Sequence, residues 1–341
     1  MQMEVPRREG VWLHRFAVLT ACSGFVLVIA GGLVTSTGSG LAVPDWPLSY
    51  GQLMPPMVGG ILYEHGHRMV ATFVGLLTTI LAIWISRTEA RKWVRVLGWS
   101  ALSAVVVQGI LGGLTVLFLL PTPISVSHAT LAQSFFSLLV FLAIVTSPNW
   151  KNAIPVGSHR SGKTVRFVQA VTVVIFLQLI LGALMRHTDS GLAIPDFPLS
   201  YGGLVPPLDA KGISWVNSVR LDQDLPSVQR GQIIVHYLHR LWALVVAVVV
   251  IASARHIFRT YSNEPRLREP ALLLVLLVAV QILLGALSVW TGRNVGATTA
   301  HVAAGALLLA TSVVLSARSL CLINYSERTD PKAFTVEASV V

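Results

Sequence analysis

The sequence predicts an all-α polytopic membrane protein with eight transmembrane helices, and two observations carry that prediction. The 341 residues are 54% hydrophobic and only 12% charged, with a mean hydropathy of +0.70, whereas a soluble domain carries roughly 25% charged residues. Eight segments are apolar over the roughly 20 residues that a spanning helix needs. This composition excludes an ordinary soluble enzyme, a disordered chain, a disulfide scaffold and a nucleic-acid-binding module.

The eight apolar segments are rich in Leu, Val, Ala and Gly, as membrane helices are. The first segment has no small-residue cleavage site and runs directly into a motif that recurs later, so we expect a retained span rather than a signal peptide. The predicted spans are 16–36, 66–86, 97–118, 125–146, 167–187, 233–254, 270–290 and 297–320.

The net charge of +10 predicts the topology of the chain in the membrane. Of the 25 Lys and Arg residues, 18 lie in the N-terminus, the C-terminus and the loops 87–95, 147–166 and 255–268. Because Lys and Arg accumulate on the cytoplasmic side, both termini are predicted to be cytoplasmic. The loops predicted to face outward are 37–65, 119–124, 188–232 and 291–296.

The chain contains an internal duplication. Residues 37–51 read TGSGLAVPDWPLSYG and residues 188–202 read TDSGLAIPDFPLSYG, with twelve of fifteen positions identical. The match resumes with QGILGGLTV from Gln108 and QILLGALSV from Gln281, after an insertion of about 21 residues in the outer loop 203–232. Each half has four spans and therefore the same orientation, and such parallel repeats are related by a pseudo-twofold axis along the membrane normal.

The fold class that follows is two parallel-repeat four-helix bundles. The predicted domains are an N-terminal half (1–146), a basic cytoplasmic linker (147–166) and a C-terminal half (167–341). A four-helix bundle can hold a cofactor between facing helices. The repeated outer loop, with its Gly, Pro and aromatic residues, is either a structured cap on the bundle or a segment that binds substrate or a partner.

Four of the ten histidines occupy matched positions in the second, fourth, sixth and eighth spans. Ionisable residues inside spans are costly and are candidates for function. Two imidazoles on two helices that run the same way can bind one metal from opposite sides, which is the geometry of bis-histidine heme; zinc needs further ligands. At about 1.5 Å rise per residue, they should lie roughly 3–9 Å from the outer boundary. The four are His67, His128, His239 and His301, and purely structural histidines are the alternative.

Glu64 breaks the symmetry between the halves. It lies three residues before His67, so the two share a helical face, and its counterpart is His236, three residues before His239. The N-terminal half is therefore predicted to hold the reacting species, with Glu64 handling protons, and the C-terminal half a resident cofactor. The alternative places Glu64 in water at the helix start as a favourable N-terminal charge.

Arg68 and Arg240 directly follow the histidines of the second and sixth spans. Their side chains can extend to the outer surface, where a forked guanidinium suits heme propionates. Plain interface anchors are the alternative. Cys22 and Cys321 lie near opposite ends of the chain and no Cys-x-x-Cys motif is present, so zinc, iron–sulfur and covalently attached heme are not expected.

Together these features resemble the heme A synthase family, which has bacterial and mitochondrial members. The resemblance rests on the eight spans, the loop TGSGLAVPDWPLSYG, the motif Glu64-x-x-His67-Arg68, the pair His239-Arg240, and the later His128 and His301. The family oxidises the C8 methyl group of heme O to the formyl group of heme A. The resemblance implies that His67 and His128 flank the substrate heme O, that His239 and His301 ligate a resident heme b, and that Glu64 is catalytic.

The resemblance also implies a protein of the bacterial cytoplasmic (inner) membrane, with heme O synthase and cytochrome oxidase assembly factors as partners. Many bacterial relatives carry cysteine pairs in their outer loops, but Ser49 and Ser200 stand in the repeat here. No thiol-based electron entry and no loop disulfide are therefore expected. The electron donor, the oxygen source (O2 or water) and the oligomeric state, including a homo-oligomer, stay open.

Two other functions compete with this hypothesis. A diheme b-type electron-transfer cytochrome, such as a quinol oxidoreductase subunit, would use the same four histidines without needing Glu64. A parallel-repeat transporter predicts polar residues at the membrane midplane, whereas the spans here are polar mainly at their outer ends.

Overall fold

The structure is a computed structural model that describes residues 7–151 and 161–323. These residues form helices and connecting loops, with no β-strand among them. The helices in chain order are α1 (Arg7–Ser36), α2 (Gly59–Thr88), α3 (Lys92–Leu117), α4 (Thr122–Thr146), α5 (Pro148–Lys151), α6 (Ser161–His187), α7 (Ala210–Asp222), α8 (Arg230–Thr260), α9 (Pro265–Trp290) and α10 (Val295–Ile323).

Eight of these helices are long and apolar enough to cross a membrane, namely α1 to α4, α6, α8, α9 and α10. The predicted all-α, multi-pass architecture is confirmed. The predicted linker 147–166 lies partly outside the described residues, and the parts that are described are the C-cap of α4 (Ser147), α5 and the start of α6.

Several helices extend beyond their apolar spans. α2 begins at Gly59, directly after the extended residue Val58, seven residues before the predicted span. The hydropathy pattern marks only the part of a helix that lipid surrounds, whereas turn-forming residues such as Pro55 and Pro56 set where the helix starts. His67 is consequently the ninth residue of its helix, and His239 the tenth of α8.

The helix contacts group the spans in two rings of four. α1 and α3 each pack against both α2 and α4, which places α2 and α4 on one diagonal of the first ring. In the second ring, α6 and α9 each pack against both α8 and α10. The rings meet where α1 and α4 contact α10 and where α4 contacts α6.

Each ring has its own apolar core, and both cores lie on the inner side of the histidines. In the first half, Leu81 follows His67 by four helical turns along α2, and it is buried against Leu139 and Leu142 of α4. In the second half, the buried cluster includes Val246 of α8 and Leu308 of α10. The inner part of each bundle is therefore closely packed, and the histidines occupy the outer part.

A repeated ion pair closes the inner hairpins. Glu89 is 7% exposed and accepts hydrogen bonds from Nε and Nη2 of Arg91 at 2.9 and 2.8 Å. Arg91 also donates to the carbonyl of Val145, which ties the α2–α3 hairpin to the end of α4. The second half repeats the pair as Glu264 and Arg266.

We expect Glu89→Gln to destabilise the protein at neutral pH and much less in acid. The hydrogen bond with Arg91 lowers the pKa of Glu89 from 4.5 to about 2, so its carboxylate stabilises the fold above pH 4.5 and stops doing so as the pH falls toward 2. Losing a hydrogen-bonded charge should lower Tm by about 2–6 °C at pH 7. Thermal unfolding in detergent at pH 7 and pH 3 measures this. An equal Tm decrease at both pH values would contradict it, and Glu264→Gln is the matched variant in the second half.

Both cysteines are free thiols. Cys22 is exposed on α1 and Cys321 is half-buried on α10. The outer loops, as the sequence shows, contain none.

Candidate functional site

The four predicted histidines lie on the diagonal helices of the two rings. His67 is on α2 and His128 on α4, while His239 is on α8 and His301 on α10. All four side chains are half-buried. They lie about 9–14 Å from the starts of their helices at 1.5 Å per residue, deeper into the helix than the apolar spans indicated.

Each imidazole rests against a glycine of a neighbouring helix. We call Gly31, Gly112, Gly182 and Gly285 the cradle glycines. A Cβ atom added at any of them would lie 3.2 Å from the Cε1 atom of the adjacent histidine. This contact is made four times with the same geometry, Gly31 to His67, Gly112 to His128, Gly182 to His239 and Gly285 to His301.

Three of the imidazoles carry a buried nitrogen that has no hydrogen-bond partner within the described residues. These are the Nδ1 atoms of His67, His128 and His301. A buried polar atom without a partner costs about 1–3 kcal/mol, and native structures rarely leave one without a functional reason. The histidines are therefore poorly explained as purely structural core residues.

Glutamines beside the cradle glycines are functional candidates that the sequence analysis did not identify. Gln108 donates from Nε2 to the carbonyl of His128 at 2.9 Å, and Gln178 donates to the carbonyl of His239 at 3.1 Å. The signal was present in the sequence, since Gln-x-x-x-Gly recurs at 108–112, 178–182 and 281–285.

The repeated outer loop folds in the same way in both halves. The carboxylate of Asp45 accepts from the backbone amides of Tyr50 and Gly51 at 2.7 and 2.8 Å, and the hydroxyl of Tyr50 donates to the carbonyl of Ala42. The hydrogen bond from Gly51, with smaller contributions from Tyr50 and Arg68, lowers the pKa of Asp45. The second loop repeats this as Asp196, Tyr201, Gly202 and Ala193.

Arg68 joins the first loop to α2. Its Nη1 donates to the carbonyls of Asp45 and Leu48, both at 2.8 Å, and its Nη2 donates to Oε1 of Glu64 at 2.6 Å. The other carboxylate oxygen of Glu64 accepts from the amide of Val43 at 2.8 Å. Glu64 is 4% exposed, so the interpretation that it sits in water at the helix start is wrong. The helix begins five residues earlier, and the folded loop covers the carboxylate.

The second half has the same clamp with an imidazole in place of the carboxylate. Arg240 donates from Nε to Nε2 of His236 at 3.0 Å and from its Nη atoms to the carbonyls of Leu199 and Ile194. His236 is 3% exposed. Both arginines therefore bind loop carbonyls, and direct binding of propionates by Arg68 and Arg240 stays a prediction.

The inserted part of the second outer loop contains a helix that the sequence analysis missed. α7 begins after Asp209, whose side chain accepts from the amide of Gly212 as an N-cap. Arg220, 2% exposed, donates from this helix to the carbonyls of Pro226 and Leu192. The insertion thus packs onto the repeated loop.

The residues present fit two heme groups better than bare metal ions. Within residues 7–151 and 161–323, no three His, Cys, Asp or Glu side chains form a cluster that could hold a metal ion. Each half instead offers two imidazoles on diagonal helices, with unpartnered Nδ1 atoms and glycines that leave no side chain against the rings. Such a donor pair matches the two axial positions of a heme iron.

We expect Gly112→Val to displace His128. The branched side chain would meet Cε1 of the imidazole, already 3.2 Å from an added Cβ, and such overpacking costs about 1–3 kcal/mol. The absorbance spectrum and Tm of the purified protein measure the change. Gly109→Val is the matched control on the same helix, because a Cβ there meets nothing within 4 Å and the second half has Ile282 at that position. Equal effects of the two variants would contradict the cradle.

The fold and the site define a class of multi-pass helical membrane proteins with histidine pairs on diagonal helices. A family model described as cytochrome oxidase assembly protein (COX15-CtaA) matches residues 58–313, three quarters of the chain. The chain belongs to this family.

Curated relatives match over most of their length. A protein of Geobacillus kaustophilus named heme A synthase is 28% identical over 295 residues, covering 85% of this chain and 86% of the relative. One of Lysinibacillus sphaericus with the same name is 28% identical over 325 residues, covering 93% and 98%. One of Listeria monocytogenes is 27% identical over 296 residues, covering 85% and 90%.

Proposed function

We propose that this protein is a heme A synthase, an oxidoreductase that converts the C8 methyl group of heme O to the formyl group of heme A. Membership of the COX15-CtaA family and the names of its relatives support this activity. The observation that carries it is the asymmetry of two otherwise matching sites, where Glu64 in the first half corresponds to His236 in the second. An electron-transfer cytochrome with two equivalent heme sites gives no role to that difference.

The two histidine pairs would give the two halves different roles, substrate binding in the first and cofactor binding in the second. His67 and His128 would hold the substrate heme O, and His239 and His301 would hold a resident heme b. A bound heme b supplies one-electron redox chemistry. The cradle glycines let the Cε1 edge of each imidazole approach the neighbouring helix closely, which restricts the orientation of the ring.

Glu64 would handle the protons that oxidation of the methyl group releases. Its carboxylate is held by two donors, the Arg68 guanidinium and the Val43 amide, and both contacts suit its ionised form. It shares a helical face with His67 and is shielded by the outer loop. An ionised carboxylate in this position can accept a proton beside the substrate, whereas Arg68 keeps the carboxylate and the loop aligned.

Location and partners follow from the activity. The excess of Lys and Arg at the inner loops supports a bacterial cytoplasmic membrane protein with both termini in the cytoplasm. Heme O synthase, which makes the substrate, and cytochrome oxidase assembly factors, which take the product, are the proposed partners. The electron donor is not a thiol of the outer loops, since these contain no cysteine.

Expression in a host that makes heme O but no heme A tests the proposal. Hemes extracted from aerobic cells and separated by chromatography should contain heme A only when the chain is present. An expressed, heme-loaded chain that yields no heme A would overturn the proposed function.

A further inference from the structure

The residue one helical turn before each cradle glycine differs at one of the four sites. It is a glutamine at three of them, Gln108, Gln178 and Gln281, and a leucine, Leu27, at the fourth. The fourth site is that of His67, because Leu27 precedes Gly31. The difference therefore falls within the half that would hold the substrate.

The glutamines of α3 and α6 hold the main chain of a histidine on the next spanning helix, α4 and α8 respectively. Gln108 Nε2 lies 2.9 Å from the carbonyl oxygen of His128 and 3.4 Å from its Nε2. Gln178 Nε2 lies 3.1 Å from the carbonyl oxygen of His239 and 3.3 Å from both of its ring nitrogens. Each bond fixes the position of a histidine along the axis of the neighbouring helix. Each amide nitrogen also lies 3.3–3.4 Å from a ring nitrogen of the same histidine.

The other two sites lack this bond. Gln281 directs its amide nitrogen to Gly305, one turn beyond His301, where an added Cβ would lie 2.8 Å away. Leu27 offers no polar atom and packs with the apolar core of the first half. In each pair, therefore, one histidine is held by a glutamine amide (His128 and His239) and the other is not (His67 and His301). His67 differs from His301 because the position beside it is a leucine, which has no amide that could turn toward the histidine.

We propose that Gln108 and Gln178 are positioning residues that hold His128 and His239 in place, and that Leu27 leaves His67 as the histidine that can withdraw from the iron. The proposal rests on the proposed function, since it concerns the iron of the substrate heme. Outer partners that hold a ligating histidine strengthen its binding to a metal. A histidine without such a partner is the weaker ligand of its pair.

A releasable His67 answers a requirement of the reaction. A heme iron with two bound histidines has no open position for oxygen. Release of His67 from a bound heme would leave the electron pair of the broken iron–nitrogen bond on the imidazole nitrogen, with nothing oxidised or reduced. His128, held by Gln108, would keep the heme in place. The position that His67 leaves would lie on the side of the heme that faces Glu64.

Carbon monoxide binding to the reduced, heme-loaded protein tests the proposal without relying on activity. Carbon monoxide takes the iron position that a histidine vacates, so its binding rate reports how readily that histidine leaves. We expect Leu27→Gln to slow binding at the first site about 3- to 10-fold, the effect of one added hydrogen bond. Leu27→Met, the apolar control, should bind at the wild-type rate. Equal rates for Leu27→Gln and Leu27→Met would overturn the proposal.

The reciprocal variant keeps the test decisive if Leu27→Gln does not assemble. Gln178→Leu gives the second site the leucine of the first, and carbon monoxide binding at the resident heme should become about 3- to 10-fold faster. An unchanged rate would contradict the role of Gln178.

The heme content of His128→Ala distinguishes failure of this inference from failure of the proposed function. If it equals that of the wild type, the first half holds no heme and the proposed function fails; if it falls while the rates stay equal, only the inference fails.

Discussion

Glu64→Gln should lower the rate of heme A formation about 100-fold or more while the protein keeps its hemes. General acid–base groups contribute typically 10²- to 10⁴-fold to a rate, and glutamine cannot accept a proton as the carboxylate does. The amide oxygen of glutamine can still accept from Val43 or Arg68, which hold the carboxylate in the wild type. Heme A per heme O in extracts, normalised to protein, measures the effect.

The structure makes a control essential here, because Glu64 also joins the outer loop to α2. His236→Gln makes the corresponding change at the residue that accepts from Arg240 in the second half, and no proton-transfer role is proposed there. We expect it to affect heme A formation far less than Glu64→Gln does. Comparable losses in the two variants, or a Glu64→Gln protein with full activity, would assign Glu64 to loop anchoring.

His239→Ala and His301→Ala should each remove the resident heme b almost completely. Each substitution would delete one of the two proposed heme ligands and leave a space in the outer part of the second bundle that the packed inner core cannot fill. The heme content of the purified protein should fall from about two groups per chain to about one. The remaining heme should be the substrate or its product, because the first ring keeps both of its histidines.

The loss of heme b should also lower the stability of the protein, since a ligand that binds only the folded state stabilises it. His65→Ala is the matched control. His65 is buried on α2 and bonds Ser49 of the loop at 2.8 Å, but it lies off the face of His67. A reduced-heme spectrum unchanged in His301→Ala, or lost in His65→Ala, would contradict the assignment of ligands.

Most of the architecture follows from the sequence because the membrane imposes it. Backbone groups in lipid must bond within a helix, so eight apolar segments imply eight helices. The helix ends were harder to predict, since turn-forming residues outside the lipid set them, as Pro55 and Pro56 do before α2. α7 was not predicted because its 13 residues mix apolar with polar side chains and are too few for a span, and because its start depends on a single N-cap, Asp209.

The candidate site could be predicted at ionisable residues that lie inside spans, where such residues are rare, and that occupy matching positions in the two halves. His67, His128, His239 and His301 satisfy both conditions, and the structure brings them onto the diagonal helices. The roles of Arg68 and Arg240 in clamping the loops could not be predicted, because their partners are backbone carbonyls about 20 residues or more away in sequence. The polar but uncharged Gln108 and Gln178 carry no charge signal and stand out only once their bonds are seen.

Conversion of bound heme O by the purified protein tests the central claim most directly. The protein is loaded with heme O, given a reductant and oxygen, and its hemes are then extracted and separated by chromatography. A heme A synthase should convert the heme O held by His67 and His128 to heme A, and His128→Ala should abolish the conversion. Heme O that stays unchanged while the resident heme is reduced and reoxidised would contradict the account and leave an electron-transfer cytochrome.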